Sequence, residues 1–369
     1  MIILIPQLCW GDRKKTCWVC ENKSLLCYNE RGVASQTQST GGVQWTVQVL
    51  FYTERMSALK TEKIIVGEGT EYPLNGLLTL PDCLDGKVPA VVFVHGSGAS
   101  NMDERIYKLT PFKDLAEGLA ERGIASIRYD KRSFVYGRKM RKQLITVREE
   151  TVDDAVLAAK LLRQDPRIDP DRIFIVGHSM GAMLAPRIDA EGGHFRGLVL
   201  MAGTPFRLEE IVVRQLRQTG QSRGGLMKAI VRLEDRIFSR KFAGLYEMSD
   251  EEAKKKKFAG SVTLYYFKEM GTKTAVDYLR ETDKPVLIMQ GGMDFQVLAA
   301  EDFAAFQNQL KDRSKVEYRL YEDLNHLFVK GIYNDILKAG KEYKVEQHIG
   351  AKVLDDIAAF IRAHGGGKS

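Results

Sequence analysis

With 369 residues, 44% of them apolar and 28% charged, the chain has the composition of a globular protein, long enough for one large α/β domain with an insertion or for two ordinary domains. No apolar run approaches a membrane span, and Met1 to Pro6 is too short, without basic lead-in or cleavage site, to read as a signal, so a cytoplasmic protein is expected. The net charge of +7 gathers in residues 205–284, which hold 17 Lys and Arg against 12 Asp and Glu. There Asp250-Glu251-Glu252 lead directly into Lys254 to Lys257, a solvated helix face of mixed sign, and no nucleic-acid motif accompanies it.

Residues 1–57 differ from everything after them. They carry Cys9, Cys17, Cys20 and Cys27 and all three tryptophans, and the stretch 31–43, rich in Gly, Ser, Thr and Gln, reads as a loop or linker. Cys17-Trp18-Val19-Cys20 has the spacing of half a zinc site or of a redox pair, but no second Cys or His pair stands at zinc-finger spacing. This extension is expected to be poorly ordered or dispensable. The patterned domain spans 58–369.

From residue 58 onward strands and helices alternate. Ile64 to Val66 and Leu77 to Leu80 flank a turn and read as antiparallel edge strands. Pro89 to Val94 is a buried strand ending in His95-Gly96-Ser97-Gly98. Thr110-Pro111 opens a helix whose apolar face is Phe112, Leu115, Ala116, Leu119 and Ala120. Ile124 to Tyr129 is the next strand, running into Asp130-Lys131-Arg132, and a helix over roughly 147–164 leads through a turn at Asp169-Pro170-Asp171. Ile173 to Val176 is then a short apolar run suited to a strand buried on both faces. It delivers Gly177-His178-Ser179-Met180-Gly181, a G-x-S-x-G in strand, tight turn, helix context. Such a turn lifts the Ser179 hydroxyl above the carboxyl edge of a sheet and sets it at a helix N-terminus, where a developing anion is favoured.

Gly197 to Ala202 continues the sheet, after which the alternation lapses. Residues 205–284 read as a helical cap insertion, with Leu226, Ile230, Leu233 and Ile237 along one stripe and Val262, Tyr265, Tyr266 and Met270 along another. The sheet resumes at Pro285 to Gln290, and Asp294 stands just past that strand's end. A helical segment, Ala299 to Leu310, places Asp302 among expected surface charges. After the last strand, Val316 to Tyr321, comes Asn325-His326, and the helix Val353 to Ile361 closes the domain. Of the three histidines after Asp294, His348 lies in a charged tract and His364 in the Gly-rich tail, which leaves His326 as the base.

The order Ser179, Asp294, His326 is that of a Ser-Asp-His triad on an α/β sheet. His326 would take the Ser179 proton during attack, and Asp294 would fix the imidazole tautomer. Backbone N–H groups of Met180, next to the nucleophile, and of Ser97, in the H-G-x-G loop, would hold the oxyanion. Tyr265, Tyr266 and Phe295 are candidate pocket residues. The mechanism needs no metal or organic cofactor, so none is expected.

The motifs His95 to Gly98, Ile127 to Arg132, Gly177 to Gly181, Gln290 to Asp294 and Asn325-His326 resemble bacterial α/β-hydrolase carboxylesterases related to dienelactone hydrolases. That group includes the esterase D-like and the feruloyl and cinnamoyl esterases. The resemblance covers about 58–369 and implies the α/β-hydrolase fold, with Ser179, Asp294 and His326 catalytic and Ser97 and Met180 lining the oxyanion hole. Serine stands where dienelactone hydrolases proper use cysteine. The expected activity is hydrolysis of short-chain or hydroxycinnamoyl esters. A thioesterase or acyl-peptidase on the same triad is the alternative, and a non-catalytic binding protein on the same scaffold is a third reading. The expected partner is a small-molecule ester, with neither nucleic acid nor membrane, and a homodimer is compatible with the sequence.

Overall fold

This computed structural model describes residues 59–84, 86–221, 225–260 and 262–366, together with the backbone of two strand pairs before residue 58. The chain divides into two units, 1–57 and 58–369. In the first, Trp18–Val19 pairs with Leu25–Leu26, and Val33–Thr40 pairs antiparallel with Val43–Leu50. The second pair replaces the loop expected over 31–43. Its period-two run of Val, Trp and Thr on either side of Gly41-Gly42 is a hairpin signal that the abundance of Ser, Thr and Gln obscures. Cys9, Cys17, Cys20 and Cys27 lie outside the described residues.

The second unit is built on eight strands: β1 (Lys60–Val66), β2 (Leu74–Leu80), β3 (Val88–Val94), β4 (Ala125–Tyr129), β5 (Ile168–His178), β6 (Leu198–Met201), β7 (Val286–Gly291) and β8 (Val316–Tyr321). Their order across the sheet is β1-β2-β4-β3-β5-β6-β7-β8. Only β2 runs against its neighbours; the β4-β3-β5-β6-β7-β8 pairs are all parallel. Strand alternation sends successive side chains to opposite faces, and here both faces are covered, so the central strands are apolar throughout. Val92, Val94, Ile175, Leu200 and Ile288 join one core with helices α3 (Asp153–Gln164) and α4 (Met180–Ile188). Val91, Phe93, Phe174, Val176, Met201 and Met289 join the other with α1 (Pro111–Ala120) and the C-terminal helix Ala351–His364. Ile173, Phe174, Ile175 and Val176 are at most 1% exposed, each burial worth about 1.5–3 kcal/mol.

All eight strands occur where the sequence places them, with three local differences. Strand β5 starts at Ile168, so Asp169-Pro170-Asp171 lies inside a strand. The ladder pairs Val88 with Ile168 and Ala90 with Ile173, leaving the intervening residues as a bulge that accommodates a proline without an N–H. A helix not expected from the sequence, α2 (Arg132–Met140), buries only its end residues Arg132 and Met140, so it shows no apolar period. Between β6 and β7 the described residues form five helices: α5 (Leu208–Gln221), α6 (Gly225–Phe242), α7 (Asp250–Lys255), α8 (Leu264–Gly271) and α9 (Ala275–Arg280). A short hairpin, Lys257–Ala259 with Val262–Thr263, interrupts them. Val262, expected on a helical stripe, is therefore in a strand, as its β-branched neighbour Thr263 favours. No helix among the described residues is long and apolar enough to cross a membrane.

Candidate active site

The site is assembled at the carboxyl ends of β3, β5, β7 and β8. Strand β5 ends at His178, and Ser179 turns the chain into α4 with φ +53° and ψ −116°. This backbone is strained for a side-chain-bearing residue, at a cost of about 1–3 kcal/mol. A Cβ on Gly177 would run into the carbonyl of Gly181, and one on Gly181 into the carbonyl of Val94, which is why both flanks of the turn are glycine. The Ser179 N–H donates to Met201 O at 2.8 Å, and its carbonyl accepts from Ala182 and Met183, which anchors the turn to β6 and α4. Met180 N–H is one of the first-turn donors a helix leaves unpaired.

Asp294 lies past β7, 2% exposed, with both oxygens engaged. Its Oδ1 accepts from the N–H of Gln296 at 2.8 Å and of Val297 at 3.0 Å; Oδ2 accepts from Gln290 Nε2 at 3.0 Å and from His326 Nδ1 at 2.7 Å. The carboxylate is thus fixed by its own loop before it meets the imidazole. The loop carrying His326 is fixed in turn by fully buried Asn325, whose Nδ2 donates to Glu342 at 2.6 Å while its Oδ1 accepts from Leu327 N–H at 3.0 Å. The other oxygen of Glu342 accepts from the N–H groups of Ile332 and Tyr333.

His178 joins this loop to the serine turn. Its Nε2 donates to the His326 carbonyl at 2.9 Å, and the two rings stand 4.8 Å apart. Ser179 is half-buried, and its hydroxyl makes no hydrogen bond among the described residues. Asp294 and His326 are therefore directly joined, while no hydrogen bond joins Ser179 to His326 among the described residues. Ser97 is exposed on the loop after β3. Phe295 is buried beside Asp294 against Tyr343. Tyr266 is buried with its hydroxyl 3.7 Å from Met180 Sδ, and half-buried Tyr265 has Lys254 Nζ 4.9 Å from its ring centre.

Residues 91–330 match the model of the alpha/beta hydrolase family. The chain belongs to that family. Among curated proteins it is 33% identical over 288 residues to esterase EstD of Thermotoga maritima, an alignment covering 78% of this chain and 65% of EstD. Two solved structures share the fold. The Pyrococcus furiosus esterase Pf2001 has TM-score 0.50 and 15% identity, covering 86% of this chain and 96% of its own. Est1E of Butyrivibrio proteoclasticus has TM-score 0.51 and 15% identity, covering 83% and 99%.

Around the candidate triad this α/β hydrolase carries a buried charged network that sequence reasoning did not single out. Glu104, itself in a left-handed conformation at φ +50°, accepts from Gly96 N–H at 2.7 Å and faces His178 Nδ1 at 3.0 Å. Burial would raise Glu104 and lower His178, yet their mutual attraction prevails: the carboxyl is held below its ordinary range and the imidazole above its own. His95, buried with Nε2 2.9 Å from the Asn101 carbonyl, is instead driven down to about 4 by desolvation and stays neutral. Lys131, 2% exposed, reaches the Gly96 carbonyl at 2.9 Å and Glu150 at 3.1 Å. Asp302 is fully buried, contrary to the surface position expected. Its oxygens accept from Thr204 Oγ1 and Arg214 at 2.6 Å and from Leu298 N–H at 2.7 Å, which satisfies the charge away from water. Of the charged or titratable residues in this network, His95, His178 and Lys131 fall within motifs visible in the sequence, and Glu104, Glu150 and Asp302 do not.

Proposed function

We propose that this α/β hydrolase is a serine carboxylesterase acting on short-chain or hydroxycinnamoyl esters. The observation that carries the reading is the 2.7 Å Asp294–His326 contact beside a strained serine turn at a helix N-terminus. The esterase name of the relative EstD, of which the chain spans 65%, supports the bond type.

In the proposed reaction Ser179 Oγ attacks the ester carbonyl carbon while its proton passes to His326 Nε2. The carbonyl electron pair becomes an oxyanion held by the Ser97 and Met180 N–H groups. Collapse expels the alcohol, protonated by His326, and leaves an acyl group on Ser179. Water then gives a proton to His326 and attacks the acyl carbon. The second collapse releases the carboxylic acid and returns the proton to Ser179. Asp294 remains ionised throughout and keeps the Nδ1 proton in place. Residues 205–284 would act as a cap over the carboxyl edge, with Tyr266 of the cap beside Met180, and Phe295 would line the pocket from the loop next to Asp294.

A fluorophosphonate probe tests the assignment. It should label the protein at one equivalent on Ser179 and leave the Ser179→Ala variant unlabelled. Equal labelling of both would place the nucleophile elsewhere.

A further inference from the structure

The Gly96–Ser97 peptide is the one whose N–H is assigned to the oxyanion, and the N–H and the carbonyl of Gly96 are each taken by a buried charge. Gly96 N–H is occupied by Glu104 at 2.7 Å, so it cannot serve the substrate. The Gly96 carbonyl accepts from Lys131 Nζ at 2.9 Å. A trans peptide is planar, with its C=O and N–H pointing in opposite directions, and no described peptide is cis. With the carbonyl held on Lys131, the Ser97 N–H points away from Lys131. It donates to nothing among the described residues. Gly96 also abuts the nucleophile: a Cβ built on it would stand 3.2 Å from Ser179 Cβ.

We propose, resting on the serine-hydrolase reading, that Lys131 is a positioning residue for the oxyanion site: its ammonium locks the Gly96–Ser97 peptide and polarises the Ser97 N–H toward the charge that develops at Ser179. A cation on a carbonyl oxygen draws electron density from the amide, and in a dry site such polarisation is carried through the hydrogen bond. The arrangement holds the lysine 2% exposed, where its charge is compensated by Glu150 and the Gly96 carbonyl rather than by water.

Lys131 is held in turn by Glu150, which sits in a π-helical turn, Arg148–Val152, ahead of α3. Glu150 accepts from the Tyr266 hydroxyl at 2.6 Å, and that hydroxyl lies 3.7 Å from Met180 Sδ. Burial pushes the Glu150 carboxyl up, but the Lys131 charge and the Tyr266 and Lys131 hydrogen bonds more than offset it, so Glu150 stays ionised below its ordinary range. The chain Ser97, Gly96, Lys131, Glu150, Tyr266, Met180 thus links the two residues assigned as oxyanion donors through helix α8.

The test compares the full chain with Lys131→Met and with the double variant Lys131→Met/Glu150→Gln. The double variant leaves no uncompensated buried charge and is expected to fold, since neutral replacement of a buried pair is often tolerated. Hydrolysis of p-nitrophenyl butyrate is followed alongside inhibition by an aryl trifluoromethyl ketone, which forms a tetrahedral oxyanion adduct on serine. Both variants should lose about tenfold to a hundredfold in kcat, less than the ~10²–10³ for deleting an oxyanion donor, with KM nearly unchanged. The ketone's inhibition constant should rise in step with the loss in kcat/KM, and the fluorophosphonate should still label one serine. A folded double variant with kcat within about twofold of the unmodified chain, or with its loss confined to KM and the ketone affinity intact, overturns the proposal. If instead Ser179→Ala hydrolyses the ester as well as the unmodified chain, the serine reading fails.

Discussion

The residues that define the candidate triad are legible because each stands just past the end of a strand, and the histidine is in addition a scarce type. Three histidines follow Asp294, and only His326 stands in a loop beyond a strand. Glu104, Lys131 and Glu150 are not legible in this way. Their contacts join residues 8 to 116 positions apart through buried hydrogen bonds and ion pairs, which leave no period and no spacing to read. The Glu104–His178 pair has a pH signature. Glu104, held below its ordinary 4.5, contributes stability above that value that is lost as pH falls through its lowered pKa. His178, held above its ordinary 6.5, contributes stability below that value that is lost as pH rises through its raised pKa. Thermal unfolding followed from acid to mildly alkaline pH should show Tm declining on both sides of a central plateau, and Glu104→Gln should flatten both limbs. Identical pH profiles for the two proteins would show that the pair is not ionised in the fold.

Among the elements, the eight strands were readable because short β-branched and apolar runs bounded by turn residues suit a strand buried on both faces and are too short for a helix. Helix α2 was not, since its exposed Phe134 and Val135 break any amphipathic pattern. The insertion was readable as helical but not in its hairpin, whose strands are too short for alternation to register. Asp302 is one of its ties to the sheet, joining Thr204 after β6, Arg214 on α5 and the loop that begins at Asp294. Next to it, Gln215 Nε2 donates to the Gln296 carbonyl at 3.2 Å. Removing the buried carboxylate leaves Arg214 only its exposed partner Glu301 and strands two further donors, so Asp302→Ala should lose about 3 kcal/mol in urea unfolding. A loss below about 1 kcal/mol would show that the contact behaves as a surface ion pair.

At the scale of the molecule, the chain divides after residue 57, and every residue assigned to chemistry lies in 58–369. Deleting residues 1–57 should leave turnover of p-nitrophenyl esters essentially unchanged. A collapse in soluble yield or activity would make the extension part of the fold. Acyl specificity is the feature least legible in the sequence, because no motif encodes the shape of a pocket. The shallow surface recess between α4 and α8–α9, lined by Met183, Phe206, Leu208, Met270 and Tyr278, contains none of the pocket residues the sequence suggested. The most direct measurement is hydrolysis of p-nitrophenyl esters of increasing acyl length, with methyl ferulate, by the full chain and by Ser179→Ala. Turnover is expected on at least one ester, with a loss of several orders of magnitude in the variant. An unmodified protein inert across the panel, or a Ser179→Ala variant as active as its parent, would contradict the serine-esterase assignment.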